Sequence, residues 1–224
     1  MINVVYALTR NLYPYLLPPI RSVLDHNEVG TIYILAEDDE LPYEIPECCR
    51  VLNVSNQTFF GKSGANAGTR FTYMSLMRVT YPLLLDCDRV INLDIDTICN
   101  DSLEEIYNED LTGKWYAAVP EPDKSRKIER AYYNAGVVVF NLEQMRKDGA
   151  AEKLINLLNT NKMSFVDQDA INYYPQYGKV LPVRYNETNY TGKTNNPAVV
   201  HYAGIGDWYK NRTMNRVEFL NKYR

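Results

Sequence analysis

Apolar residues along the chain fall into short runs rich in β-branched side chains, and these runs alternate with stretches of helical periodicity. Several runs are apolar at consecutive positions, as strands covered by helices on both faces are. The predicted strands are INVVYAL (2–8), TIYILA (31–36), RVLNV (50–54), RVINLDI (89–95), WYAAVP (115–120), GVVVFN (136–141), KVLPV (179–183) and AVVHY (198–202). The alternation predicts an α/β fold, which we expect to form a single domain over residues 1–224.

Helices are predicted where apolar residues share one helical face. The faces are Ile20, Val23 and Leu24 in a helix opened by Pro18 and Pro19; Tyr73, Leu76, Met77 and Thr80 in a helix ended by Pro82; and Ala151, Leu154, Ile155 and Leu158. Spacing also predicts two capping boxes, Asp101 with Glu104 and Ser164 with Asp167.

The composition narrows the class of partner and the compartment. A net charge of −4 without a long basic run argues against a nucleic-acid partner held through many phosphate contacts. We expect no signal peptide, no membrane-spanning segment and no long basic tail. Because the four cysteines match neither a disulfide framework nor a zinc knuckle, the sequence favours the reducing cytoplasm. Contact with the inner membrane face, through Arg212, Arg216, Lys222 and Arg224, stays open, as does the choice between monomer and dimer.

Two acidic residues, Asp94 and Asp96, stand at the end of the strand predicted over 89–95. Residues two apart on an extended chain point the same way, with Cα atoms roughly 6.5–7 Å apart, so both carboxylates can converge on one cation. Hard oxygen ligands suit Mg²⁺ or Mn²⁺ and leave coordination positions for substrate phosphates. The alternative is a pair of solvated residues at a strand-to-loop junction, with Asp96 making a local turn bond.

The segment DCDRVINLDIDTICNDSLEEIY resembles the D-x-D region of family 8 glycosyltransferases, which are retaining, metal-dependent enzymes of the GT-A fold. The resemblance continues in order through YALTRNLY, an arginine on the preceding helix, YYNAGVVVFNLEQM, VDQDAINYY and VVHYAGIGDWY. It implies a mixed, mostly parallel central sheet flanked by helices, with a nucleotide-binding part over about residues 1–100 and a sugar and acceptor part over about 101–224. It also implies transfer of a hexose from UDP-glucose or UDP-galactose to a hydroxyl acceptor, expected to be a glycan.

The resemblance assigns the donor and metal sites residue by residue. Uridine is expected at the end of the first strand, with Tyr13 stacking on the uracil; the alternative for Tyr13 is packing against the following prolines. Asp94, Asp96 and His201 are the implied metal ligands, a set that favours Mn²⁺ over Mg²⁺. The other implied contacts to the UDP-sugar are Ala7, Leu8, Thr9, Asn11, Ile95 and Gly204.

The sugar pocket is expected from Asn134, Gly136, Asp167 and Gln168, with Asp167 on a sugar hydroxyl and Gln168 near the anomeric carbon. Arg78 would hold the donor between phosphate and sugar by its planar fork of donors. Gln168, Asp167 and Arg78 are therefore the implied catalytic residues. The alternative for Asn134 and Gly136 is a tight turn before a strand, and the alternative for Arg78 is a surface arginine. Because no carboxylate is obvious behind the sugar, front-face substitution through an oxocarbenium-like state is implied.

The C-terminal motif departs from the family pattern H-x-x-G-x-x-K-P-W, whose lysine contacts the diphosphate. His201, Gly204 and Trp208 are kept, but Gly206 and Asp207 stand where Lys and Pro are expected. Lys193, Lys210 or Arg212 could supply the missing charge. Otherwise the chain would be a UDP-sugar-binding protein or a hydrolase with weak or no transfer. Nucleotidyl transfer is disfavoured because YALTRNLY lacks a Gly-rich phosphate loop.

Overall fold

The computed structural model describes residues 1–122 and 132–224. Its strands are β1 (Ile2–Ala7), β2 (Val29–Ala36), β3 (Cys49–Asn53), β4 (Arg89–Leu93), β5 (Thr97–Cys99), β6 (Tyr116–Glu121), β7 (Tyr132–Asn141), β8 (Gly178–Val180) and β9 (Val199–His201). In the described ranges, seven of them form a sheet in the order β3-β2-β1-β4-β7-β6-β8, and β5 pairs with β9 in a separate ribbon.

The central sheet is mixed and mostly parallel. Strands β3, β2, β1 and β4 run parallel to one another, and β8 runs parallel to β6. Strand β7 is antiparallel to both of its neighbours, β4 and β6. The predicted α/β fold with a mostly parallel sheet flanked by helices is therefore confirmed.

Helices cover the sheet and connect its strands. The α-helices are α1 (Leu17–Leu24), α2 (Tyr73–Leu76), α3 (Tyr81–Leu84), α4 (Glu104–Tyr107), α5 (Leu142–Lys147), α6 (Ala150–Thr160), α7 (Val166–Asn172) and α8 (Val217–Asn221). The 3₁₀ helices are Arg10–Tyr15, Met77–Thr80, Pro175–Tyr177 and Val183–Tyr185. Among the described residues, no helix has the length and apolar character needed to cross a membrane.

Two apolar layers lie on opposite faces of the sheet. On β1, Val5 belongs to one layer, whereas Val4 and Tyr6 belong to the other, and none of the three is exposed to solvent. This is why the central strands read as continuous apolar runs. The four cysteines are free thiols.

The helix around Arg78 continues past Pro82, contrary to the prediction. Helix α2, the 3₁₀ helix Met77–Thr80 and α3 follow one another without a gap, and Pro82 lies in the first turn of α3. A proline is tolerated there because the first turn needs no intrahelical N–H donor. The helix therefore ends at Leu84 instead.

Neither predicted capping box forms. Helix α4 begins after Leu103, and Asp101 accepts from the neighbouring Ser102 N–H at 2.8 Å instead. Helix α7 begins after Phe165, whose N–H donates to Asp169 Oδ2 at 2.8 Å. The carboxylate of Asp167 is thereby left for a different partner.

The acidic pair lies in a tight turn between β4 and β5, and not on an extended chain as predicted. Strand β4 ends at Leu93, and the Thr97 N–H donates back to the Asp94 carbonyl at 3.1 Å. Strand β5 starts at Thr97, a strand that the sequence pattern does not predict. On the neighbouring strand, β7 begins at Tyr132, so Asn134 and Gly136 lie within a strand, and the alternative of a turn before it is wrong.

Candidate functional site

Asp94, Asp96 and His201 come together beside the carboxyl end of β4. The two aspartates belong to the turn after that strand, and the β5–β9 ribbon pairs Thr97 with His201. His201 Nε2 lies 3.2 Å from Asp96 Oδ1 and 3.7 Å from Asp94 Oδ2. One ligand atom from each of the three residues lies within 4.8 Å of the others, so the group could hold a metal ion.

Burial and mutual charge shift the pKa of each member of this cluster. Burial penalises the Asp94 carboxylate more than Arg78 and His201 stabilise it, so the pKa of Asp94 is raised. The Asp96 carboxylate is also penalised by burial, but the His201 imidazole outweighs this and lowers its pKa. The same pairing overcomes burial at His201 and raises its pKa. The cluster therefore favours a positive charge at Nε2, carried by a proton or a metal ion.

The donor set fits a divalent cation. Two carboxylates and one imidazole nitrogen are ligands of the type that Mn²⁺ accepts, and three protein ligands leave positions open for other oxygens. The imidazole is held from behind, because its Nδ1 lies 2.9 Å from Asn186 Oδ1. Its ring also rests on Gly136, where a Cβ would approach Cε1 to 2.0 Å. Gly136, which is expected from the sequence to line the sugar pocket, thus gives room to the imidazole.

Arg78 is buried between two carboxylates, so the alternative of a surface arginine is wrong. Its Nη2 donates to Asp94 Oδ1 and its Nη1 donates to Asp167 Oδ2. Its side chain is only 11% exposed, and its Nε has no hydrogen-bond partner among the described residues. Burial outweighs the attraction of Arg78 at Asp167 and raises the pKa of that carboxyl to about 6.

Two of the residues expected in the sugar pocket, Asn134 and Gln168, are joined by their side chains to Glu121, the last residue of β6. Asn134 Nδ2 donates to Glu121 Oε1 at 2.6 Å, and Gln168 Nε2 approaches the same oxygen at 3.4 Å. Gln168 Oε1 accepts from the Ala135 N–H at 3.0 Å. Sequence reasoning missed Glu121 and found no carboxylate near Gln168. The position of Glu121 at the end of WYAAVPE gives no periodicity or motif signal, because its contact with Gln168 depends on the pairing of β6 with β7.

The residues expected around uridine follow β1. Ala7 ends the strand, Leu8 is buried, and Thr9 Oγ1 donates to Asn11 Oδ1 at 2.6 Å. The ring of Tyr13 is 3% exposed and belongs to the apolar layer on one face of the sheet. Stacking of Tyr13 on a base therefore requires its surroundings to shift.

The remaining predicted residues follow β4 and β9 or belong to the C-terminal part of the chain. Ile95 stands half-buried between the two aspartates, and Gly204 has a positive φ of 71° just after β9. Among the basic candidates, Lys193 lines a cavity of about 310 Å³ together with His201 and Arg216. Lys210 and Arg212 are absent from the lining of that cavity, which makes Lys193 the better placed of the three.

A mostly parallel sheet with an acidic turn at the end of a central strand is the arrangement expected of a GT-A fold. A family model described as Glycosyl transferase family 8 matches residues 3–208, and the chain belongs to this family.

Two curated relatives match a part of the chain. It is 33% identical over 94 residues to lipopolysaccharide 1,2-glucosyltransferase of Escherichia coli, over 34% of this chain and 28% of the relative. It is 29% identical over 100 residues to general stress protein A of Bacillus subtilis (strain 168), over 33% of each protein. The matched regions thus span a third or less of these relatives' own length.

Solved structures resemble the chain over nearly its full length. An active-site mutant of LgtC superposes with a TM-score of 0.79 at 20% identity, covering 99% of this chain and 95% of that chain. The galactosyltransferase LgtC in complex with donor and acceptor sugar analogues superposes with a TM-score of 0.72 at 20% identity and the same coverage. GlyE of Streptococcus pneumoniae TIGR4 reaches 0.65 at 20% identity, covering 99% of this chain and 62% of its own. At these identities the likeness supports the fold alone.

Proposed function

We propose that the chain transfers a hexose from UDP-glucose or UDP-galactose to a hydroxyl acceptor, expected to be a glycan, with retention of configuration and with Mn²⁺ or Mg²⁺. The observation that carries this proposal is the convergence of Asp94, Asp96 and His201 to within 4.8 Å. We further propose that residues 1–100 bind the nucleotide and that residues 101–224 bind the sugar and the acceptor.

Asp94, Asp96 and His201 would hold the ion, which supplies Lewis-acid neutralisation of the charge on the departing diphosphate. Arg78 fixes the carboxylate of Asp94 from behind and carries a permanent positive charge in a buried site. We propose that this charge also stabilises the donor, through the Nε that has no partner among the described residues.

Asp167 and Gln168 start helix α7 and face the site from the other side. The second oxygen of Asp167 would accept from a sugar hydroxyl, while Arg78 holds the first. Gln168 is fixed by the Ala135 N–H, so its amide has a defined orientation toward the anomeric carbon we assign to it. Ala7, Leu8, Thr9, Asn11 and Tyr13 would surround the uridine, and Ile95 and Gly204 would flank the diphosphate.

Glu121 changes the mechanistic question, because it places a carboxylate beside Gln168. In front-face substitution, Glu121 would orient a hydroxyl of the acceptor or donor, and Glu121→Gln should chiefly raise KM. In a double displacement it would be the nucleophile, and the same change should abolish kcat. We propose the front-face route that the family resemblance implies, and the two outcomes for Glu121→Gln distinguish it from a double displacement.

The second candidate function is UDP-sugar binding or hydrolysis with little transfer. It is favoured by Gly206 and Asp207 in place of Lys and Pro, because a missing cation weakens stabilisation of the diphosphate. Lys193, which shares a cavity with His201, is the residue that would compensate. Lys193→Met should therefore lower kcat if transfer is the main activity.

Transfer of label from UDP-[¹⁴C]sugars in the presence of Mn²⁺, scored separately as glycan product and free sugar, tests the proposal. Asp96→Asn should abolish both products, and Gln168→Ala should reduce transfer strongly. The matched control is Asp88→Asn, which removes an exposed aspartate that pairs with Arg146 on the surface. Free sugar without glycan product would favour the second candidate. Wild-type transfer by Asp96→Asn would refute the proposed metal site.

A further inference from the structure

A buried chain of hydrogen bonds joins His201 to the residues around Glu121, and Asn186 lies at its middle. Asn186 follows the 3₁₀ helix Val183–Tyr185 and is 0% exposed. Its Oδ1 lies 2.9 Å from His201 Nδ1, and its Nδ2 lies 2.7 Å from Asn134 Oδ1. Asn186 stands outside every motif recognised in the sequence.

The orientation of both amides follows from the groups at the end of the chain. The Gly136 N–H can only donate, and it lies 2.9 Å from one atom of the Asn134 amide, which must be the oxygen. The Glu121 carboxylate accepts, and it lies 2.6 Å from the other atom of that amide, which is the nitrogen. Asn186 must therefore turn its NH₂ toward the Asn134 oxygen and its own oxygen toward His201.

An amide oxygen beside Nδ1 of His201 requires a proton on that nitrogen. In the neutral ring, a proton on Nδ1 leaves the lone pair on Nε2. Nε2 faces Asp96 Oδ1 at 3.2 Å and Asp94 Oδ2 at 3.7 Å. A lone pair and two carboxylates repel one another unless a cation lies between them, so this tautomer is the one that a metal ligand needs.

We propose that Asn186 is a positioning residue with two roles. Its oxygen holds His201 as the Nδ1–H tautomer with Nε2 turned toward the two aspartates. Its NH₂ holds Asn134 in the sugar pocket, so that metal binding and recognition of the donor sugar are coupled through one side chain. The coupling to the sugar rests on the proposed function, whereas the tautomer does not.

The tautomer is measured by ¹⁵N NMR of histidine-labelled, metal-free protein, at a pH where the imidazoles are neutral. The chain contains two histidines, and the His26→Asn variant assigns the two sets of signals. In the wild type, His201 should carry its proton on Nδ1. In Asn186→Ala, the proton should move partly or wholly to Nε2, where it can bond Asp96. An unchanged Nδ1–H population in Asn186→Ala would overturn the proposal.

Titration with Mn²⁺ in the absence of nucleotide gives a second readout. Asn186→Ala should weaken Mn²⁺ binding about 10–100-fold, as loss of an outer-shell partner does. Asn186→Asp should retain wild-type affinity to within about threefold, because a carboxylate still accepts from Nδ1–H. Equal losses in the two variants would contradict the proposed role of the oxygen.

The matched control for this titration is Asn27→Ala. The Asn27 side chain likewise accepts from one N–H, that of Leu103 at 2.7 Å, and its NH₂ donates to the Val23 carbonyl at 3.0 Å and to Cys99 Sγ at 3.6 Å. Its partners lie outside the candidate site, so this variant should bind Mn²⁺ as the wild type does. A loss of Mn²⁺ affinity in Asn27→Ala equal to that in Asn186→Ala would show a general structural effect and would overturn the proposal.

Asn186→Asp tests the coupling to the sugar, and it also carries the test if Asn186→Ala does not fold. Its second oxygen would face the Asn134 oxygen, so two acceptors would meet where a hydrogen bond had been. With saturating Mn²⁺, the preference for UDP-sugar over UDP should fall roughly tenfold. An unchanged preference would refute the coupling. If the wild type binds no UDP-sugar, the proposed function fails, while the NMR and Mn²⁺ measurements still decide the role of Asn186.

Discussion

Replacing Gly136 with alanine is expected to displace the His201 ring and weaken metal binding. A Cβ at position 136 would lie 2.0 Å from Cε1, 2.4 Å from Nδ1 and 3.0 Å from Nε2 of that ring. Ordinary contact begins at 3.4 Å, so the ring and the strand must separate by about 1.4 Å, the difference between 3.4 and 2.0 Å. Gly136 is not among the glycines with positive φ, so the cost is steric and not a strained backbone.

This displacement is large on the scale of metal coordination. Metal–ligand distances tolerate deviations of only about 0.2 Å, so a shifted Nε2 would leave the coordination shell. The His201 side chain is 3% exposed and cannot swing into solvent to escape the methyl group. We therefore expect Gly136→Ala to weaken Mn²⁺ binding at least about 10–100-fold. Overpacking should also lower the free energy of unfolding by about 1–3 kcal/mol.

A double-mutant cycle on urea unfolding of the metal-free protein isolates the clash. Gly136→Ala should cost about 1–3 kcal/mol with His201 present and close to nothing in the His201→Ala background, where the ring is gone. The matched control is Gly61→Ala, because a Cβ at Gly61 would have no atom within 4 Å. Equal losses in the two backgrounds, or wild-type Mn²⁺ affinity in Gly136→Ala, would refute the reasoning.

Three further outcomes are expected. Arg78→Met should lower the free energy of unfolding by about 3–5 kcal/mol because it strands the buried Asp167 carboxylate and the half-buried Asp94 carboxylate, whereas Arg50→Met, at the exposed pair with Asp86, should cost far less; similar losses would contradict this. Because the folded pKa of His201 is raised above 6.5, its contribution to the stability of the metal-free protein is complete below that pH and is lost as pH rises through the folded value. Wild type should then lose more stability than His201→Gln as the pH rises above about 6.5 in urea unfolding, and parallel profiles would exclude the effect. Mn²⁺ at about 100 times its Kd should add about 2.7 kcal/mol of stability, reversible by EDTA and absent in Asp96→Asn, as thermal shifts would show.

The central strands are predictable from the sequence because their environment is uniform. Strands β1, β2 and β4 have helices or loops on both faces, so nearly every position selects an apolar side chain. Strand β5 is only three residues long, and it is a strand because β9 pairs with it from far along the chain. Local periodicity therefore cannot predict β5, because its pairing partner is distant in sequence.

Errors at helix ends have a similar origin. The spacing of Ser164 and Asp167 fits a capping box, but the Asp167 carboxylate accepts a hydrogen bond from the buried Arg78 instead. Asp169, two residues further along, supplies the bond to the Phe165 N–H instead. Spacing alone does not distinguish the two carboxylates, since the deciding partner, Arg78, lies on a different helix.

The candidate site divides in the same way between recognisable and unrecognisable residues. Asp94 and Asp96 stand out because charge is unexpected beside an apolar strand, and His201 follows from resemblance to a family. Glu121 and Asn186 are indicated neither by an unexpected charge beside a strand nor by a family motif. Both are placed by side-chain hydrogen bonds between distant segments, so only the folded chain reveals that they lie on one hydrogen-bonded path with His201 and Asn134.

The pairing of β5 with β9 has a consequence for the protein during its synthesis. A ribosome releases the turn with both aspartates long before it releases His201, and proteins fold from the N-terminal side as they emerge. A nascent chain that ends before β9 therefore carries an acidic turn without its imidazole. We expect the three-residue cluster to form only once β9 has been synthesised, so a chain released by a ribosome that stalls before this strand lacks the complete candidate metal site.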